Sequence, residues 1–242
     1  MTSTANSDFT SSYDAPGTKY TTLHDLWRPP APSKATRQLS RRSKGSSRAI
    51  VVGGKPARAI QCESNLERKC LLMLFARLDV ADVVEQPPAV IYYDDDGRMR
   101  RHVFDFFVTM TDDTTVAVEV KPLAKAEKYH WRERLRRIAE QAEGFADRYV
   151  LITEENLPPE ATYNAALIHS VRRDDKPEHD QHIRRIAADL HGQVTIADLV
   201  ARSGLAGDGF RAIARLVGAG ELIAAGRGRI DYPTFVSRAE AA

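Results

Sequence analysis

Apolar positions along the chain follow two spacings, and they divide it into predicted elements. Residues 103–110 (VFDFFVTM) and 115–121 (TVAVEVK) are rich in β-branched and aromatic side chains and flank Thr111-Asp112-Asp113-Thr114, which predicts an antiparallel hairpin. In its second strand the two-residue period sends Val116, Val118 and Val120 to one face and Ala117, Glu119 and Lys121 to the other. One face is therefore expected to be core and the other chemistry. Leu66, Cys70, Leu71, Leu74, Phe75 and Leu78 recur at helical spacing after Ser64, and Trp131, Leu135, Ile138, Ala142 and Phe145 do so within 125–145, predicting a helix at each place. Residues 50–52 and 59–62 read as short strands, and the apolar runs 149–153 and 165–171 as buried strands. Asp94-Asp95-Asp96 lacks the alternating spacing of a calcium loop, so with Gly97 it reads as a hairpin tip.

A polar, proline-closed stretch at 172–177 marks a boundary. Beyond it, helices are predicted at 179–190, 195–202 and 208–217, with Thr195 as an N-cap and Gly204 as a stop. Strands 221–224 and 229–232 then flank Gly226-Arg227-Gly228. Helix, short helix, longer helix and hairpin describe a winged-helix module. A DNA-reading version would place the helix from Asp208 in the major groove, with Arg211 and Arg215 exposed and Arg227 and Arg229 near the backbone. The low density of basic residues on that helix favours protein docking.

The chemistry centres on Asp105 and Glu119-Val120-Lys121. Two acids and a lysine at one end of a hairpin can hold a divalent metal and activate water against a phosphodiester. Asp105 shares a face with Glu119 only if the two lie opposite each other, which demands a three- or five-residue loop or a bulge; a two- or four-residue loop would set Asp105 against Val120. Taken alone, the pattern also fits a strand-edge acid beside a solvated Glu119–Lys121 pair. Glu67 has two readings as well: with Ser64 it makes an S-x-x-E capping box, and a helix beside the hairpin can deliver a third carboxylate to the metals.

With 242 residues, 43% of them hydrophobic and 28% charged, the chain suits one or two globular domains. It shows no long apolar run and no basic-then-apolar leader, so a cytoplasmic, bacterial or phage-encoded protein without a membrane partner is expected. Cys62 and Cys70 are too few for a zinc site or a disulfide framework. Net charge is only +2, but Arg37, Arg41, Arg42, Lys44 and Arg48 cluster among serines in a segment poor in large apolar residues. That predicts a poorly ordered basic arm able to track phosphates. Lys125 and Lys128, close to Lys121 in sequence, are further candidates for a phosphate clamp.

In order, S-x-L-E at the head of a helix, Val84-Glu85-Gln86-Pro87, an acid within an apolar strand, and Glu119-Val120-Lys121-Pro122 resemble the TnsA-like transposon endonucleases of the PD-(D/E)xK nuclease superfamily. The resemblance runs over about residues 61–158. It implies an α/β fold: a restriction-endonuclease-like mixed sheet flanked by helices, followed by the small winged-helix-like domain. The division becomes a basic arm at 1–48, a nuclease domain at 49–173 and the C-terminal domain at 177–242. Carried over by position, it implies Mg²⁺, with Mn²⁺ as a substitute, on Asp105 and Glu119, with Glu67 helping to hold a second metal or its water. Lys121 orients the attacking water. Phe104 stands where the superfamily has a proline that shapes the strand. The implied reaction cuts double-stranded DNA on the 5′ side of transposon ends, leaving 5′-phosphate and 3′-hydroxyl, beside a transposase subunit and an AAA+ ATPase regulator. Two other readings are a free-standing phage or restriction-type nuclease and a catalytically silent DNA-binding or assembly adaptor.

Overall fold

The computed structural model describes residues 29–36, 47–54 and 56–239; Arg37, Arg41, Arg42 and Lys44 of the basic arm lie outside the described residues. Strands β1 (Ala49–Gly53) and β2 (Arg58–Cys62) form an antiparallel hairpin leading into helix α1 (Asn65–Ala76). The central sheet has the order β3 (Val80–Glu85), β6 (Phe106–Met110), β7 (Thr115–Val120), β8 (Arg148–Ile152). Its first three strands are antiparallel and β7 and β8 are parallel, so the sheet is mixed, as expected. Strands β4 (Val90–Tyr93) and β5 (Met99–His102) form a separate hairpin whose tip turns at Gly97, with φ +70°.

The register of β6 and β7 meets the demand set by the two acids. Phe106 faces Val118 and Thr109 faces Thr115, so the loop takes the odd-length form. Met110 N–H donates to Thr114 O and Asp113 is left-handed at φ +65°, the conformation that ends a three-residue hairpin loop. The ladder ends at Phe106↔Val118, and its parity carries Asp105 towards Glu119, although Asp105 N–H itself donates to Val118 O in a bulge at the strand end.

Both faces of the sheet are covered. Val118 and Val120 pack with Cys70, Leu71 and the β1–β2 hairpin, while Ala117 packs on the opposite side with Phe104, Tyr92, Leu135 and Ile138. The expectation of one core face and one chemical face is thus corrected: Ala117 is core, and only the end of that face, from Glu119 onward, carries chemistry. The helix expected at 125–145 is broken into α2 (Leu123–Lys128) and α3 (Trp131–Gln141), with His130 left-handed between them at φ +47°. The break costs about 1–2 kcal/mol at a non-glycine residue and lets both Ala126 and Trp131 turn inward, where they are buried.

Residues 165–171, expected as a strand, lie in helix α4 (Pro159–Arg172). Ala165, Ile168 and Val171 follow a three-residue spacing, and Pro159 at the first turn suits a helix start; a short apolar run does not by its period separate strand from helix. Arg172 at its end donates to Phe75 O, at the end of α1, and to Gly218 O. One guanidinium so serves carbonyls at two helix C-termini.

The C-terminal segment comprises α5 (Pro177–Ala188), β9 (Val194–Thr195), α6 (Ile196–Ser203), α7 (Ala206–Gly218), β10 (Leu222–Ala224) and β11 (Phe235–Arg238), with strand order β10-β11-β9. Thr195 caps α6 and Gly204 ends it at φ +66°, both as expected. The second strand is not 229–232 but β11. Ile230 is buried and its N–H donates to Asn164 Oδ1, and Pro233 follows, so this stretch is held by α4 instead of a ladder. Arg215 is a second correction: expected exposed, it is buried and bonded to Asp180, while Arg211 bonds Asp174.

Candidate active site

Strand β6 leaves the ladder at Asp105, and that departure builds the site. Asp105 O accepts from Gln86 N–H on one side, and its carboxylate replaces a backbone acceptor on the other, taking the N–H of Val120 at 2.7 Å. Lys121 N–H is held by Ile152 O of the parallel strand, which aims its side chain back over the same edge. Lys121 Nζ lies 2.5 Å from Glu119 Oε1 and 3.4 Å from Asp105 Oδ2. Asp105, Glu119 and Lys121 are thus brought together, as their spacing predicts.

Burial and like charge load this cluster. Burial pushes Asp105 up to about 7, with the Glu119 and Glu67 charges adding to the rise and Lys121 and the Val120 N–H only partly offsetting it. Burial works against the Lys121 ammonium, but Asp105 and Glu119 outweigh it and hold that lysine above its ordinary value. Lys121 Nζ also lies 4.9 Å from the centre of the Trp131 ring, which caps the cluster.

Ser64 Oγ accepts from Glu67 N–H, the first half of the expected capping box, but the Glu67 carboxylate turns to the Ser64 hydroxyl at 2.8 Å and to Glu63 N–H at 2.7 Å and not to Ser64 N–H. Burial raises its carboxyl despite these bonds, and Lys121 lowers it in turn, so it belongs to the same electrostatic neighbourhood. Lys125 and Lys128 lie exposed on α2 without an ion pair to the cluster, and Lys128 covers the Tyr129 ring at 5.5 Å. Cys62 and Cys70 are free and buried; burial pushes the Cys62 thiol up to about 12 and raises Cys70 too, so neither is a nucleophile.

His102 is absent from the sequence-derived set. Its Nε2 lies 2.9 Å from Glu119 Oε2, both side chains being buried. A signal for it exists only once β4 and β5 are in register: His102 pairs with buried Val90, a polar side chain on an inward, apolar face. Glu85 and Gln86 explain part of the upstream motif. Glu85 is fully buried and accepts from the Ser33 hydroxyl; Gln86, at φ +43°, turns the chain beside Asp105 and its carbonyl accepts from Thr36.

A cavity of about 230 Å³ lined by Gln86, Arg101, Val103, Phe104 and Asp105 opens beside the cluster. A larger one, about 440 Å³, lies between the β4–β5 hairpin and α3, where charges are already paired, Asp94 with Arg100 and Asp95 with Arg137. The smaller cavity is the one that reaches the reactive groups. Among the described residues, no three His, Cys, Asp or Glu side chains are grouped as a cage for an ion. The cause is visible: Lys121 bridges the two strand carboxylates and Glu67 is turned onto its own helix cap.

No curated protein matches the chain. Residues 78–154 match the family model described as TnsA-like endonuclease N terminal, a stretch that contains Asp105, Glu119 and Lys121 and begins after Glu67. Over that stretch, which carries Asp105, Glu119 and Lys121, the chain is similar to the N-terminal domain of TnsA-like endonucleases.

Proposed function

We propose that the protein is a metal-dependent DNA endonuclease acting in transposition. The observation that carries this reading is the convergence of Asp105, Glu119 and Lys121 within a segment matched to TnsA-like endonucleases, with Asp105 driven up by burial and a like charge. A surplus of buried carboxylate suits a hard dication, and the oxygens of Asp105, Glu119 and Glu67 are the donor type Mg²⁺ takes. Mg²⁺ or Mn²⁺ supplies Lewis-acid activation of water and neutralises phosphate charge. The chain's residues do the rest. Asp105, held by Val120 N–H, and Glu119 present the oxygens, and Lys121, once released from Glu119, orients water and offsets charge on the phosphorus. Arg101, on the rim of the cavity, faces the incoming backbone.

The substrate in this reading is double-stranded DNA at transposon ends, cut on the 5′ side to leave 5′-phosphate and 3′-hydroxyl. Partners are a transposase subunit and an AAA+ ATPase regulator. Arg41, Arg42 and Lys44, with Lys125 and Lys128, supply sequence-independent phosphate contacts. The C-terminal helices and strands are read as a winged-helix domain that docks protein. Arg215 and Arg211 on α7 are both spent on acids of the same chain, leaving that helix without free cations for a groove.

The test is nicking of supercoiled plasmid with Mg²⁺ or Mn²⁺, alone and with the partner proteins. Asp105→Ala and Glu119→Ala are expected to abolish it, and Lys121→Ala to slow it by about 10²–10³-fold, the usual loss for one preorganised donor. The 5′ ends formed should accept labelled phosphate from a kinase only after phosphatase treatment. One observation favours a silent adaptor instead: the Lys121–Glu119 contact already closes the carboxylates on each other. Absence of both metal binding and nicking in the presence of partners and DNA would establish that second reading.

A further inference from the structure

Glu119 is gripped from both sides, and the two grips differ in kind. Lys121 Nζ on Oε1 ends a flexible stem, is a quarter exposed and is shared with Asp105. His102 on Oε2 is rigid: its ring meets Phe104 edge-on at 4.6 Å and Trp131 at 5.7 Å, and its backbone is locked by pairing with Val90. A carboxylate accepts only, so Nε2 carries the proton and donates.

We propose that His102 is a positioning residue of the nuclease site, fixing the plane of the Glu119 carboxylate so that Oε1 remains directed at the position a divalent cation takes. This rests on the metal-dependent reading of the site. The terminal torsion of a glutamate is broad and roughly two-fold, so a lone carboxylate does not hold one orientation unaided. Lys121 occupies Oε1 and would have to give way if that oxygen were to hold a cation, and His102 on Oε2 would be the donor that stays. An imidazole on the inward face of β5 also costs desolvation that a phenylalanine would not, and the Glu119 bond is what offsets it. The β4–β5 hairpin thereby contributes to the chemistry a side chain lying outside the Asp-Glu-Lys set.

The experiment is Mn²⁺ titration calorimetry on the full chain, with urea unfolding as the measure of folding. His102→Phe keeps the ring packing and removes the donor, and His102→Asn keeps polarity with too short a reach; each is expected to weaken Mn²⁺ binding by about 10–100-fold. His102→Gln, whose amide nitrogen reaches the place of Nε2, is expected to stay within about threefold of wild type, the donor bond being retained. If His102→Phe does not fold, the contrast between Asn and Gln carries the result. Wild-type affinity in the Phe or Asn variant, or equal losses in Asn and Gln, overturns the inference while leaving the nuclease reading intact. Loss of all Mn²⁺ binding in Glu119→Ala beside normal binding in wild type supports Glu119 as the group positioned. No Mn²⁺ binding by wild type removes the metal reading and this inference with it.

Discussion

Two of the groups of buried charge among the described residues are built on opposite plans. In the C-terminal segment, Arg215 and Asp180 form a one-to-one pair, 2.7 Å apart, and Arg215 also donates to Asp174 O. At the end of the central sheet, Asp105 and Glu119 share the single ammonium of Lys121, with Glu67 nearby, and burial first, then the surplus of acid over base, moves Asp105 up to about 7. A closed pair satisfies itself and holds helices in place. An open one stores an electrostatic demand that an external cation can meet, and that marks a candidate site more clearly than burial does.

Cutting the closed pair should have the largest effect on stability. Arg215→Ala strands a buried carboxylate and is expected to cost about 3–5 kcal/mol in urea unfolding, whereas Asp180→Leu with Arg215→Met should recover most of that. An equal loss in the double variant would mean that α5 and α7 depend on the charges themselves and not on filled space.

Relieving the open cluster should act in the other direction. With chelator at pH 8, Asp105→Asn keeps an oxygen for Val120 N–H and removes one of two facing charges, and a gain of about 1–2 kcal/mol is expected. The sign follows from linkage. Asp105 has an ordinary value of 3.8 and about 7 in the folded chain, so the folded state retains a proton that the unfolded state has lost. Metal-free wild type should therefore lose stability as pH rises from about 4 to about 7, more steeply than Asp105→Asn. Mn²⁺ should reverse the order of the two proteins at pH 8; unchanged order would mean that the surplus acid is not matched to a cation.

The smallest effect belongs to the exposed control. Arg184 and Glu221 make a two-pronged contact at 2.6 and 2.8 Å on the surface, and Arg184→Ala should shift stability by only about 0.5 kcal/mol, with the difference shrinking in salt.

Much of this was legible without coordinates. The alternation in TVAVEVK and the two odd-length loop solutions point Asp105 towards Glu119, and the ladder from Phe106↔Val118 to Thr109↔Thr115 agrees in parity. Ser64 and Glu67 announced the start of α1, and Thr195 and Gly204 the ends of α6, because caps act through residues a few positions apart. Misreadings arose where a local pattern fits two structures. Residues 165–171 are apolar enough for a strand, and it is the seating of α4 against α1 that makes them helical. Arg215 looked solvated because its partner, Asp180, is 35 residues away.

Local pattern along the chain was enough for the strand that carries Glu119 and Lys121, the odd parity of the turn before it, and the caps of two helices. These depend on periods of two and 3.6 residues and on bonds that span a few positions. Tertiary structure alone decided that Ala117 is core, that the helix after Lys121 breaks at His130 so Trp131 can cover the lysine, and that His102 reaches Glu119 from a separate hairpin. Each of those depends on which surfaces meet after the elements form, and no short-range pattern along the chain encodes that meeting.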